Sequence, residues 1–147
     1  MTNDHKDCIE NKVHVIDIEA RVENLPQILE FIDVLLEEAG CPLRIRYEID
    51  VAAEEIFVNI ASYAYKPNVG MATVMAALSD DPASITITFK DKGRQYDPLA
   101  RKDPDTTLSA KERPIGGLGV YIVKTTMDDA FYNYEDGFNV LTIKKNF

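Results

Sequence analysis

Two turn signals constrain the fold of this chain more than any other feature of its sequence. One is Ser-Asp-Asp-Pro at 79–82, between apolar runs typical of strands over 69–78 and 84–90. The other is Asp136-Gly137, which divides the last apolar stretch. Asp-Gly favours the two-residue turn of an antiparallel hairpin, and Ser, Asp and Pro favour turns in general. Two such hairpins predict a sheet that is largely antiparallel.

Helical periodicity marks three further segments. Apolar residues recur at helical spacing after Leu25, with Asn24 as the expected cap of this first helix. A second helix is expected over 43–65 and a third over 117–129, and a β-branched strand is expected over 13–22. The resulting order, β-α-α-β-β-loop-α-β-β, predicts an α+β fold. It would be a two-layer sandwich whose mostly antiparallel sheet is covered on one face by about three helices.

The length of 147 residues is that of a single domain with a hydrophobic core. Residues 1–12 are polar, and we expect them to form a flexible lead to one domain over 13–147. The polar loop over 91–114 is too long for a simple connection. Loops of this length in compact domains are usually functional lids or disordered segments, and we expect a lid over 94–116.

The composition argues against two classes of partner. The net charge is −9 and Lys and Arg form no cluster, whereas nucleic-acid binding depends on a basic surface. No apolar run approaches the roughly 20 residues of a membrane helix, and the polar start is not a secretory signal, so we expect a cytoplasmic protein. Four isolated side chains lack the spacing of a metal or redox site: Cys8, Cys41, His5 and His14. An anionic ligand would need backbone amides or a metal ion to offset the acidic charge.

Glu55 and Asn59 lie four residues apart on the expected second helix and therefore share one of its faces. Asn is unfavourable inside a helix and needs a reason to be there. In one interpretation the Asn59 amide oxygen binds a hard cation, and Glu55 is a base. In the other, Asn59 bonds the nearby backbone, and Glu54 and Glu55 are a solvated pair.

Asp91 follows the expected strand 84–90, and Gly93 follows two residues later. A carboxylate at a strand end can accept a hydrogen bond from an amino group such as that of adenine. A neighbouring glycine lets a flat ring approach the backbone. The alternative is an ordinary turn, because Asp-x-Gly is common in turns.

Gly117 and Gly119 open the expected third helix, within the sequence RPIGGLGVYIVK. This segment lacks the Gly-Lys-Ser/Thr of a P-loop and the last glycine of a dinucleotide fingerprint. The first amides of a glycine-rich helix attract anions, because they are unpaired, carry partial positive charge and have no side chains around them. The alternative is that the glycines serve a bend or close packing.

The three motifs in this order resemble those of the Bergerat-fold ATPases, the superfamily of gyrase, Hsp90, histidine kinases and MutL. The pattern is Glu-x-x-x-Asn on a helix, Asp-x-Gly after a strand, a long polar segment, and Gly-x-Gly at a helix start. The stretches AAEEIFVNIASYAY, DKGRQYDP and GGLGVYIVKTTMDD are similar to a small stand-alone branch, the anti-sigma-factor serine/threonine kinases of the RsbW type. The resemblance covers about residues 13–147.

The resemblance implies a role for each motif residue. Glu55 would be the general base, and Asn59 would bind Mg²⁺ that bridges the phosphates of ATP. The neighbouring Glu54 is disfavoured as the base, because it lies roughly 100° away around the helix. The other implied contacts are Asp91 to the adenine amino group, Gly93 beside the base, Arg113 to phosphate from the lid, the Gly117 and Gly119 amides to phosphates, and Thr142 to the adenine site through its hydroxyl or a water.

The function implied by the resemblance is that of an ATP- and Mg²⁺-dependent serine/threonine kinase acting as an anti-sigma factor. Such a protein binds a sigma factor, phosphorylates a serine on a small anti-anti-sigma antagonist, and commonly forms a homodimer. Two other functions stay open. One is an ATP-binding regulatory module without kinase activity, and the other is a structural domain that binds no nucleotide.

Overall fold

The computed structural model describes residues 12–100 and 118–147. The strands are β1 (Val13–Glu19), β2 (Met71–Asp80), β3 (Ala83–Asp91), β4 (Asp129–Glu135) and β5 (Phe138–Asn146), and the helices are α1 (Leu25–Glu38), α2 (Leu43–Asn59) and α3 (Leu118–Thr126). A π-helical turn, Ile60–Ala64, continues α2, and short 3₁₀ turns lie at Val22–Asn24 and Pro98–Ala100. The predicted order of elements and the α+β class are confirmed.

The five strands form one sheet in the order β1-β2-β3-β5-β4, and each neighbouring pair is antiparallel. Both predicted hairpins are present, β2 with β3 and β4 with β5. At the second turn Asp136 has φ 54° and Gly137 has φ 83°, the left-handed conformations that a two-residue hairpin loop requires. Strand β5 lies between β3 and β4, so the last strand pairs directly with β3.

The three helices cover one face of the sheet, and the core lies between the two layers. Alternate strand residues point towards the helices, as the twofold repeat of a strand requires. Fully buried members of this layer include Ile85, Ile87 and Phe89 of β3, Ile143 of β5, Ile28, Ile32 and Leu36 of α1, Ile49 and Phe57 of α2, and Val123 of α3. Each contributes roughly 1.5–3 kcal/mol of hydrophobic stabilisation, so this layer supplies the main driving force for folding.

Several element ends differ from the sequence prediction. β1 ends at Glu19 rather than at residue 22, because a 3₁₀ turn begins the connection to α1. Asn24 occupies the position before α1 but does not cap it; its Nδ2 donates to the Glu19 carbonyl at 2.9 Å. Most of the expected lead and lid, residues 1–11 and 101–116, lies outside the described residues. None of the described helices is long and apolar enough to cross a membrane.

Candidate nucleotide-binding site

Helix α2 is contacted by the glycine-rich start of α3. Glu55 is half-buried, whereas the adjacent Glu54 is exposed. The backbone of Gly119 lies directly against the Glu55 side chain, so a Cβ built on this glycine would overlap the carboxylate Oε2 and lie 2.8 Å from Cδ. The structure therefore brings the expected base and the third motif into contact. Two predicted phosphate-binding residues, Arg113 and Gly117, lie outside the described residues.

The environment of Glu55 suits a general base. Burial, and to a lesser degree the charge of Glu54, raises the pKa of the Glu55 carboxyl. A carboxylate with a raised pKa is a stronger base, closer to the range in which proton transfer is efficient at neutral pH. The first amides of α3 are unpaired within the helix and carry partial positive charge, so the same place also attracts an anion.

Asn59 is the last residue of α2, one helical turn beyond Glu55. It is partly exposed, its side chain does not cap the π-helical turn that follows, and we find no bond from its amide to the described residues. Within residues 12–100 and 118–147, no group of three or more His, Cys, Asp or Glu side chains is arranged to hold a metal ion. A metal ion here would take the amide oxygen, phosphate oxygens and water, which is a donor set that suits Mg²⁺.

Asp91 ends β3 and is only 5% exposed. Its Oδ1 accepts the Gly93 N–H and the Asn139 Nδ2–H, each at 2.9 Å. Burial raises the pKa of Asp91, although these two hydrogen bonds act in the opposite direction. The second motif therefore presents a buried, oriented carboxyl group at the end of the sheet, rather than the freely solvated carboxylate of an ordinary turn.

Gly93 contacts the π-helical continuation of α2. A Cβ on this glycine would lie 2.6 Å from the Ala64 carbonyl carbon, and the Arg94 N–H donates to the Ala64 oxygen at 2.9 Å. The absence of a side chain thus has a packing reason that the sequence did not reveal.

The three motifs meet at α2 and its π-helical continuation. Gly119 contacts it at Glu55 and Gly93 contacts its continuation at Ala64, a separation of roughly 13 Å along a helix axis. Asn59 lies between these contacts. Along the helix, the contact made by the start of α3 and the contact made by the loop after Asp91 thus lie on either side of Asn59. A cavity of about 510 Å³ between β1 and α1 contains none of these residues.

Thr142 is not brought to this site. It is buried on β5, but it pairs with Thr88 of β3, and the two hydroxyl oxygens lie 3.3 Å apart. Because side chains alternate along a strand, Thr142 points to the opposite face of the sheet from Asp91. The direct partner of Asp91 across the two strands is Asn139, which sequence reasoning missed. The sequence does contain one indication of Asn139, because Asn is unfavourable inside a strand and its presence there needs a reason.

Comparison with known proteins gives one family and a consistent set of relatives. Residues 18–145 match the model of the histidine kinase-like ATPase domain. The chain is 29% identical over 129 residues to the serine-protein kinase RsbW of Bacillus cereus (strain ATCC 10987 / NRS 248), and 28% identical to that of Bacillus thuringiensis subsp. konkukian (strain 97-27). Each alignment covers 82% of this chain and 81% of the relative.

A solved structure shares the fold. The crystal structure of the RsbU and RsbW domains of a Mycobacterium tuberculosis protein superposes with a TM-score of 0.65, at 17% sequence identity. The match covers 92% of this chain and 32% of that longer one, so this chain spans about a third of its length. The expected resemblance to the RsbW type is confirmed by these relatives together with the family match.

Proposed function

The chain belongs to the family of histidine kinase-like ATPase domains, and on that premise we propose that it is an ATP- and Mg²⁺-dependent protein serine/threonine kinase acting as an anti-sigma factor. It binds a sigma factor and phosphorylates a serine on an anti-anti-sigma antagonist, as a cytoplasmic homodimer. The observation that carries the proposal is the contact between Gly119 and Glu55, because it puts a half-buried carboxyl group beside the start of α3, where we propose that the phosphates bind.

Phosphoryl transfer needs little covalent participation by the protein, which mainly positions the reacting groups. The serine hydroxyl oxygen forms a bond to the γ-phosphorus, the bond from that phosphorus to the leaving ADP oxygen breaks, and Glu55 accepts the hydroxyl proton. The amides at the start of α3 bind phosphate oxygens. Asp91 orients the adenine ring through its amino group. Bound at Asn59, Mg²⁺ would offset the charge of the phosphates, which matters in a protein of net charge −9.

The test is transfer of labelled phosphate from ATP, with Mg²⁺, to a candidate anti-anti-sigma protein encoded near this one. We expect Glu55→Gln to lower transfer by about 100-fold or more while ATP binding is retained. Glu54→Gln is the matched control, because the neighbouring carboxylate is exposed and accepts no proton in the reaction; removing its charge changes only the smaller contribution to the pKa of Glu55, so transfer should fall far less. Full transfer by Glu55→Gln would refute the assignment of the base. ATP binding without transfer to any candidate would favour the regulatory module instead.

A further inference from the structure

Asn139 lies beside Asp91, the residue expected to bind adenine, and every donor and acceptor of its side-chain amide is hydrogen-bonded. Its Nδ2 donates to Asp91 Oδ1 at 2.9 Å and to the Arg94 carbonyl at 3.0 Å. Its Oδ1 accepts the Tyr96 N–H at 3.1 Å and the Tyr132 hydroxyl. The two protons and the two lone pairs of the amide are thus all partnered, in a residue that is only 6% exposed.

These partners determine which way the Asn139 amide points. The backbone N–H of Tyr96 can only donate, and the carbonyl of Arg94 can only accept. The amide oxygen therefore faces Tyr96 and the amide nitrogen faces Arg94, which directs a proton of the nitrogen at Asp91. A reversed amide would place two acceptors, or two donors, against each other.

The carboxylate of Asp91 is held in one orientation as a result. Both donors that reach it, Asn139 Nδ2 and the Gly93 N–H, bind the same oxygen, Oδ1. Within the described part of the chain we find no hydrogen bond to the other oxygen, Oδ2. An acceptor of this kind can bind an amino group, whereas it meets a carbonyl oxygen as one acceptor facing another.

We propose that Asn139 is the positioning residue that sets the base specificity of the nucleotide site, by holding Asp91 with Oδ2 directed to the amino group of adenine. This inference rests on the nucleotide binding in the proposed function. It predicts discrimination against inosine triphosphate (ITP), in which a carbonyl replaces that amino group. A site built around a hydrogen bond to one group rejects strongly an analogue that lacks it.

The test is calorimetric binding of Mg-ATP and Mg-ITP to the full chain and three variants. Wild type should prefer ATP by about 100-fold or more. Asn139→Leu keeps a side chain branched at Cγ but loses the amide, and it should lower the ATP:ITP affinity ratio by about tenfold or more. Asn139→Asp should lower the ratio similarly and raise the affinity for ITP. The two neighbouring carboxyl groups would hold one proton between them, and when that proton is on Oδ2 of Asp91 this group donates a hydrogen bond to the inosine carbonyl.

Thr142→Val is the matched control, because Thr142 is buried on the same strand but points to the opposite face, and it should leave both affinities unchanged. An unaltered ATP:ITP ratio in both Asn139 variants would overturn the proposal, even with weaker binding overall, since a merely structural role lowers both affinities equally. If the Leu variant does not fold, the Asp variant decides alone. Wild type that binds neither nucleotide would refute the proposed function together with this inference, which is a different outcome.

Discussion

Two half-buried carboxyl groups lie close together between α1 and α2, and neutralising one should stabilise the protein. Asp33 of α1 and Asp50 of α2 each have a buried Oδ1 that lacks a hydrogen-bond partner among the described residues. Burial, followed by the closeness of the Asp33 carboxyl group, with which Asp50 can share a proton, raises the pKa of Asp50 from 3.8 to about 8, and Arg46 offsets this only in part. At neutral pH the folded protein therefore holds a proton on Asp50 that the unfolded chain releases.

The sign of the pH dependence follows from that proton. A carboxyl group whose pKa is higher in the folded state binds a proton on folding, so it lowers stability increasingly as pH rises from about 4 to about 8. At about 1.4 kcal/mol per pKa unit the shift corresponds to at most about 6 kcal/mol. Because Asp50 is still partly exposed, solvent screening reduces this, and we expect Asp50→Asn to raise the free energy of unfolding by about 1–3 kcal/mol at pH 8.

The assay is urea unfolding followed by circular dichroism at pH 5 and pH 8. The gain from Asp50→Asn should be small at pH 5 and largest at pH 8. Glu30→Gln, which neutralises an exposed carboxylate on α1, is the matched control and should produce less than about 0.5 kcal/mol at either pH. A gain from Asp50→Asn that does not grow with pH, or a loss at pH 8, would refute the shared-proton reasoning.

Three further substitutions test contacts around the site. Gly119→Ala should slow phosphoryl transfer by about tenfold or more, because the added methyl group meets the Glu55 carboxylate and displaces it. ATP binding should weaken less. Transfer rates and calorimetric ATP affinities measure the two effects separately. Gly93→Ala should cost about 1–3 kcal/mol in urea unfolding, because its methyl meets the rigid backbone of Ala64. Lys145 joins α3 to α2: its ammonium group donates to the Thr126 carbonyl at the end of α3 at 2.6 Å and lies 3.2 Å from the Glu48 carboxylate of α2. Lys145→Met removes both contacts and should therefore speed hydrogen exchange of the α3 amides.

Each of these predictions has a contrary outcome, and the Lys145 prediction also has a control variant. Equal losses of transfer and ATP affinity in Gly119→Ala would mean that Glu55 does not depend on this contact. Unchanged stability of Gly93→Ala would mean that the loop can move away from α2. Lys145→Arg keeps a donor and a charge and should restore slow exchange; if it does not, side-chain length rather than the ion pair holds α3.

The local part of the fold could be predicted because its signals are local. Asp136-Gly137 marks a hairpin through the backbone conformations that these two residues tolerate, and the structure has both in the left-handed region. The extent of α2 was predicted from apolar spacing, but its π-helical end was not, since Ile60–Ala64 continues the helical path with a different hydrogen-bond pattern. Asn24 was expected to cap α1 from its residue type, yet its amide bonds the end of β1.

The site could be predicted only where a motif stays within one element. Glu55 and Asn59 share a helix, so four-residue spacing was enough to place them together. The choice between Thr142 and Asn139 depends on how β5 pairs with β3, and the residues joined there are 48 apart in the sequence. A one-residue change of register reverses which side chains face the helices, and nothing near Thr142 reveals that register.

The position of β5 between β3 and β4 also determines when, during folding, the proposed adenine site can form. During synthesis the N-terminal part of the chain is made and begins to fold first. A nascent chain that stops before Asn139 already contains the helix with Glu55 and Asn59, but β3 lacks the neighbour that orients Asp91. Because β3 and β5 are far apart in the sequence, their pairing is slow, so the proposed adenine site forms late in folding. On the proposed function, the protein would become able to recognise adenine only once the fifth strand has been made and added to the sheet.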